Sequence, residues 1–497
     1  MNKIYLLIGI QGSGKSTYAR KLSKDKNIDI VSTDIVRIKN KGIEEKDVWP
    51  TVYKTIADYV KTKDVIFDAT SITPKVRDRL KENLLAYGLK HNIDYEIHAL
   101  FFPTAAVTAS ARVDARNKLG EYYVPLDIIP SFDNNIIPPT YEEEFAEACV
   151  ISNAPDLLKP FGSDAYHGYA FYLHDPKSFD KDLYEASGFA NIETHDRVRL
   201  DSCFRLASVS KQFIAYGILT LVKDNKLSLD DTLYSCFSDM PLYTKDITIK
   251  NLLNHTSGIR DYDEEIDHTE MDKNGTQLSD LDVLNWVRTT KDTYFKIGSK
   301  YQYSNTAYIL LGLVIKEKSG LEIGTYLDEV IFKPFNMTSS KVDYEGITTF
   351  EKRAYGHIRK DGKLTLKDQY WCSATIGDGG IYSNIIDLVK WLKVIRSLDG
   401  IYKEMINPNI IDGVNTEYGF GLRIKEINGH KLIYHNGWTI GTNTSIGYIE
   451  DLDVEWAFLI NEHNLGAEML IEQIKRKYLS WWGRYVLHHL ILLMEEE

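Results

Sequence analysis

Gly9-Ile10-Gln11-Gly12-Ser13-Gly14-Lys15-Ser16 follows directly on the apolar run Ile4–Ile8. A continuous apolar run that ends in a glycine-rich turn reads as a central parallel strand buried on both faces. The glycines allow backbone N–H groups to close on phosphate oxygens with no side chain between them. In a loop of this spacing Lys15 reaches the β- and γ-phosphates and the Ser16 hydroxyl is the Mg²⁺ ligand. Thr17–Leu22 then continues as a helix whose N-terminal dipole favours an anion. Gly9, Gly12, Gly14, Lys15, Ser16 and Thr17 are therefore the expected contacts of ATP and Mg²⁺, in an α/β domain whose parallel sheet is flanked by helices.

Further residues extend this reading outward. Ile28–Ser32 reads as a second strand that delivers Asp34 and Arg37, one helical turn apart on one face. A carboxylate there can take the proton of an acceptor hydroxyl, and Arg37 can hold an acceptor phosphate. A local surface ion pair is the plainer alternative for the two. Val65-Ile66-Phe67-Asp68 reads as a buried strand ending in a carboxylate suited to the surroundings of Mg²⁺. Arg112 and Arg116 are one turn apart on a later helix, as a lid over a transferring phosphoryl group requires.

Residues 1–155 resemble the phage-type polynucleotide 5′-kinase family of P-loop phosphotransferases. The resemblance lies in the P-loop, Ser32-Thr33-Asp34-Ile35-Val36-Arg37, Phe67-Asp68-Ala69-Thr70, Arg116-Asn117-Lys118 with Val124-Pro125, and Pro138-Pro139-Thr140 with Glu144-Phe145. It implies a general base at Asp34 and acceptor binding by Arg37. The family's second lid arginine has no counterpart in Leu119-Gly120-Glu121, which leaves Arg112 as a substitute. The acceptor is a 5′-hydroxyl nucleic acid or a small alcohol.

A second set of residues belongs to different chemistry. Pro and Gly between 151 and 165 break the periodicity and mark a linker, placed at 156–165. Beyond it come aromatic, strand-like runs at Tyr169–Leu173 and Tyr184–Phe189, then a helical stretch from Ser208. Ser208-Val209-Ser210-Lys211 puts a hydroxyl and an amine on one face at a helix start, where dipole and backbone N–H groups favour anions. Tyr303-Ser304-Asn305 follows a turn at Gly298 and precedes an apolar helix, which sets a phenol and an amide at a cleft mouth. His435-Asn436-Gly437 ends an apolar strand, and Gly437 lets a substrate approach the backbone. The N–H groups of Ser208 and Trp438 would then form an oxyanion hole. His255 reads as a structural histidine in a turn.

Residues 165–475 resemble the class C β-lactamase and D-alanyl-D-alanine peptidase family with its esterase and aminopeptidase relatives. Other segments that carry the likeness are Leu252–Ile259, Leu310-Leu311-Gly312, Gly379–Ser383 and Tyr418–Gly421. The resemblance implies an α+β domain with an antiparallel sheet, spanning 166–497. It makes Ser208 the acylated nucleophile, Lys211 and Tyr303 the general base and acid, and Asn305 a substrate-positioning residue. His435 stands where many lactamases carry Lys. An imidazole is mostly uncharged at neutral pH, which moves the substrate toward an ester or amide small molecule.

Composition agrees with a soluble multidomain protein: 497 residues, 43% apolar, 26% charged, net charge −12. Residues 1–155 hold 21 Lys+Arg and 21 Asp+Glu, so the whole net charge falls on the remainder. A nucleic-acid coat protein is excluded, and any phosphate-rich partner meets the first part. Four widely spaced cysteines give no zinc or disulfide framework. No span and no signal-like start are read, which implies a cytoplasmic protein. The apolar tail Leu479–Met494, with Arg484, His488 and His489, reads as a helix packing on the second domain's sheet. The expected function is therefore a fusion of an ATP-dependent kinase-like domain and a serine hydrolase. The alternative keeps the hydrolase and makes the P-loop domain a non-catalytic ATP-binding module.

Overall fold

The first apolar run becomes the middle strand of a five-stranded parallel sheet. In the computed structural model, residues 1–119, 123–161, 164–344 and 348–479 are described. They form two compact units: Met1–Ala170 with Phe179–Leu200, and Phe171–Ser178 with Asp201–Glu497. Gly120, Glu121, Gly162, Ser163 and the tail from 480 onward, with Arg484, His488 and His489, lie outside the described residues.

In the first unit β1 (Asn2–Ile8), β2 (Asp29–Val31), β3 (Val65–Asp68), β4 (Tyr95–Phe101) and β5 (Glu147–Val150) run in the order β2-β3-β1-β4-β5. Ile4, Leu6, Leu7 and Ile8 are completely buried because helices cover both faces of a parallel sheet. Helix α1 (Lys15–Lys26) leaves the P-loop at the carboxyl end of β1, the edge at which open α/β sheets bind ligands. Helix α2 (Thr33–Lys39) is capped by the Ser32 hydroxyl, which accepts from Ile35 N. Helix α3 (Ala106–Lys118) carries Arg112 and Arg116.

The Pro138-Pro139-Thr140 segment is anchored by a buried ion pair. Arg77 donates to both carboxylate oxygens of Glu143 at 2.6 Å and to the carbonyls of Ser71, Ile137 and Pro138. The two side chains are 0% and 4% exposed. Removing one partner strands a buried charge, so Glu143→Ala should destabilise this unit by about 3–5 kcal/mol. Urea denaturation of the full chain against wild type checks it, and a loss under about 1 kcal/mol would contradict the anchoring role.

In the second unit β8 (Arg423–Ile427), β9 (His430–Thr439), β10 (Thr442–Ile449) and β11 (Val454–Ile460) form an antiparallel run, and the Phe171–His174 part of β6 (Tyr169–His174) continues it beside β11. Strand β7 (Leu183–Ser187) lies within the first compact unit. Two helices form the core of the second unit: α4 (Lys211–Lys223) and α5 (Asn305–Ser319) are apolar nearly all round and correspondingly buried. Among the described residues, no helix is long and apolar enough to cross a membrane.

Candidate active site

The P-loop adopts the backbone its glycines allow. Gly12 and Gly14 have φ of +79° and +100°, a region that side-chain-bearing residues avoid. A Cβ on Gly12 would stand 2.5 Å from the Ala109 carbonyl of α3, so the loop packs tightly on that helix. Lys15 is buried and donates to the carbonyls of Gly9 and Ile10 at 2.7 and 2.8 Å. Burial lowers its pKa to about 8, against the opposing pull of the Asp68 carboxylate. Ser16 and Thr17 are exposed at the start of α1. A loop with left-handed glycines, a buried lysine, exposed hydroxyls and a carboxylate at the end of β3 fits a nucleotide phosphate with Mg²⁺.

The residues expected to meet an acceptor are arranged differently. Arg37 donates to Asp34 at 3.1 Å and to Glu45 at 2.6 Å, and all three groups face solvent. Arg112 donates to Asn153 Oδ1 at 2.9 Å, a partner 41 residues away. Arg116 keeps a buried Nε with no hydrogen-bond partner among the described residues.

Ser208, Lys211, Tyr303, Asn305 and His435 come together in the second unit, each held by its own local structure. Ala207, with φ of +48°, turns the chain into a 3₁₀ turn, Ala207–Ser210, that leads into α4. Lys211 is 0% exposed, and its Nζ donates to Ser208 Oγ at 3.1 Å, Asn305 Oδ1 at 2.8 Å and Asp378 O at 2.8 Å. A side-chain hydroxyl, an amide oxygen and a main-chain carbonyl thus gather around one amine. The same Nζ lies 5.0 Å above the ring of Tyr303.

The Tyr303-Ser304-Asn305 segment is locked at three points. Ser304 Oγ caps α5 by accepting from Ala307 N, His255 Nδ1 accepts from Ser304 N at 3.1 Å, and Asp261 accepts from Asn305 N at 2.7 Å. His255 is thus a structural support, its Nδ1 unprotonated and its ring 4.5 Å from that of Tyr303. Burial, with Lys211 and His435 beside it, keeps it well below the ordinary imidazole range.

His435 is 1% exposed. Its Nδ1 faces the Asn436 carbonyl at 2.6 Å and so carries the proton, leaving Nε2 to accept from Tyr418 OH at 3.1 Å. Burial, then Arg423 and Lys211, hold it well below the ordinary range, and the ring is neutral at pH 7. Gly437 passes the turn of Ser208 closely, and Trp438 is half exposed beside it. Ser208, Tyr303, Asn305, His435, Gly437 and Trp438 all line one cavity of about 480 Å³.

Three further residues of this site carry no role in the sequence reading. The Asp378 carbonyl is the third acceptor of Lys211, and a main-chain oxygen has no residue signature. Asp263 lines the cavity, 3.4 Å from Asn305 Nδ2, and burial raises its pKa. It lies four residues beyond the Leu252–Ile259 segment, and a carboxylate so close to that motif is its signal in the sequence. Arg423 holds its guanidinium 5.6 Å from the Tyr303 ring and 6.0 Å from that of Tyr418, at the cavity wall.

Comparison with known proteins agrees with both halves. An AAA-domain family model matches residues 4–131, and the Beta-lactamase family model matches residues 166–475. A D-aminopeptidase of Brucella anthropi is 30% identical over 261 residues, which cover 51% of this chain and 49% of that protein. Penicillin-binding protein 4* of Bacillus subtilis (strain 168) is 27% identical over 288 residues, 54% of this chain and 63% of that one. The chain therefore spans about half the length of the curated relatives it matches. Among solved structures, a penicillin-binding protein from Bacillus halodurans is 25% identical with a TM-score of 0.55, covering 62% of this chain and 95% of that one. A D-amino acid amidase from Ochrobactrum anthropi SV3 is 25% identical with a TM-score of 0.50 over 59% and 87% of the two chains. With a Lys-bridged serine, a tyrosine and a strand-borne glycine around one cavity, and a family match over most of its length, the chain belongs to the β-lactamase family of serine hydrolases, preceded by a P-loop AAA domain.

Proposed function

We propose that the hydrolase half, 166–497 joined through 156–165 to the P-loop half at 1–155, cleaves a small amide or ester through an acyl-enzyme on Ser208. The observation that carries this is the Lys211 amine bonded at once to Ser208 Oγ, Asn305 Oδ1 and Asp378 O in a buried setting. Ser208 Oγ attacks the acyl carbonyl while its proton passes to the Lys211–Tyr303 pair. The N–H groups of Ser208 and Trp438 stabilise the oxyanion, and Tyr303 returns the proton to the departing amine or alcohol. Water then repeats the sequence on the ester and frees Ser208. The neutral His435 acts by holding Tyr418 and the strand, not as a cation.

Charge at the cavity narrows the substrate. Asp263 places a carboxyl group beside Asn305, and Arg423 places a guanidinium beside Tyr303. This suits an amino-acid amide or short peptide with a free ammonium, in keeping with relatives named D-aminopeptidase and D-amino acid amidase. The test is a panel of D- and L-aminoacyl p-nitroanilides against their N-acetylated forms. Preference for the free amine supports the reading, and equal rates on acetylated substrates contradict it.

For the P-loop half the reading is ATP binding through Gly9, Gly12, Gly14, Lys15 and Thr17, with phosphoryl transfer to a 5′-hydroxyl nucleic acid or small alcohol. Ser16 and Asp68 would hold Mg²⁺, which neutralises phosphate charge when bound. A regulatory ATP-binding module is the second reading. It is favoured by Asp34 and Arg37 being paired to one another, with Arg37 also on Glu45. Incubation with labelled ATP and a 5′-hydroxyl oligonucleotide separates the two: transfer supports the kinase, and binding without transfer supports the module. Lys15→Ala should weaken ATP binding at least about 100-fold, since it removes the charge at the centre of the loop. Calorimetric titration checks this, and unchanged affinity would remove the P-loop as the nucleotide site.

A further inference from the structure

A buried polar cluster lies at the flank of the P-loop within the first unit. Glu185, on β7, is 0% exposed, and both its oxygens are engaged. Oε1 accepts from the backbone N and the Nδ2 of Asn153 at 2.7 and 2.8 Å. Oε2 accepts from Ser152 Oγ at 2.9 Å and Tyr169 OH at 3.3 Å. Asn153 extends the chain of bonds in two directions. Its Nδ2 also donates to Thr104 Oγ1 at 2.6 Å, and that hydroxyl donates to the Ser13 carbonyl of the P-loop at 3.1 Å. Its Oδ1 accepts from Arg112 Nη1 and lies 3.6 Å from where a Cβ on Gly14 would be.

The backbone of β7 completes the frame. Ala105 N donates to Tyr184 O at 3.2 Å and Ala186 N to Pro103 O at 3.0 Å, so β7 runs beside the segment that leads from β4 into α3. Packing alone would be better served by an apolar side chain, because burying a carboxylate is costly unless every lone pair is met. Here they are met, Oε1 by the backbone and side-chain amides of Asn153 and Oε2 by Ser152 and Tyr169. Burial lowers the pKa of Arg112, and the negative charge of Glu185 is the influence that opposes the loss. Glu185 lies beyond residues 4–131 matched as the AAA domain and within 166–475 matched as the hydrolase.

We propose that Glu185 is a positioning residue of the nucleotide site: through Asn153 it holds the Arg112 guanidinium beside the P-loop, where it meets the phosphates of a nucleoside triphosphate. The inference rests on the P-loop unit binding such a ligand. It means that a residue from the hydrolase-matched stretch of sequence completes the phosphate site, and that residues 1–155 alone lack it.

The experiment is a double-mutant cycle on the full chain, titrated with a fluorescent ATP analogue and Mg²⁺. Glu185→Gln and Arg112→Ala should each weaken binding about tenfold. The double variant should be no weaker than either single, because Glu185 acts through Arg112. Asn153→Ala, which leaves the Glu185 carboxylate in place, should match them and again add nothing to Arg112→Ala. If Glu185→Gln is misfolded by circular dichroism, the Asn153–Arg112 cycle decides. Additive losses, or wild-type affinity in a folded Glu185→Gln or Asn153→Ala, overturn the proposal. Failure of the underlying reading shows separately, as wild-type affinity in Lys15→Ala.

Discussion

Replacing Ser208 by alanine is expected to lower the rate of amide or ester hydrolysis at least about 10³-fold, with binding of Mg-ATP intact. The size follows from what the hydroxyl does. It is the hydroxyl that accepts from the Lys211 amine at 3.1 Å, and it is the atom on which the proposed acyl-enzyme forms. Tyr303 and Asn305 remain in place without it, because Ser304, His255 and Asp261 hold their segment independently of residue 208. The loss is therefore chemical rather than structural, and the variant should melt close to wild type. Steady-state assay with a chromogenic ester measures the rate, and a fluorophosphonate probe followed by peptide mapping identifies the modified residue. Near-full activity in the variant, or label on a peptide without Ser208, would remove the nucleophile assignment.

The parts of this molecule legible in its sequence are those where one residue type is forced. The P-loop shows because glycine alone adopts the φ values at 12 and 14 without strain, and Lys15 directly after them supplies the charge. The hydrolase site shows because three short motifs recur in a fixed order, and each ends up lining one cavity. Side-chain direction was less legible. A spacing of three placed Asp34 and Arg37 on one face of α2, but whether they face an acceptor or each other depends on Glu45, eight residues on. The identity of His435 told its charge, yet not that its Nε2 turns to Tyr418. Least legible were contacts made by the main chain or by partners remote in sequence. The Asp378 carbonyl under Lys211 and the Asn153 amide on Arg112 are of this kind, at separations of 167 and 41 residues.

Gly437→Ala carries the second large effect, and it tests the geometry between two motifs rather than either one. Strand β9 passes the turn of Ser208 so closely that a Cβ at 437 would lie 2.1 Å from the Leu206 carbonyl oxygen and 3.1 Å from Ala207 Cβ. It would also lie 2.4 Å from Thr444 Oγ1, which is itself fixed by donating to Leu206 O at 2.7 Å. Two of these three neighbours are the backbone and the first side-chain carbon of the segment that carries Ser208. No rotamer change relieves the contact, so β9 and that segment must separate by about an ångström. The proposed oxyanion donors, Ser208 N and Trp438 N, then move apart, and a displacement of that order costs about 10²-fold in kcat. Gly413→Ala supplies the control. Gly413 also has a positive φ, +81°, but open space around its Cβ position, so alanine there should cost about 1 kcal/mol of stability and no activity. A Gly437→Ala enzyme within about threefold of wild-type kcat would mean that the two segments part freely, and the oxyanion site would have to be sought away from Trp438.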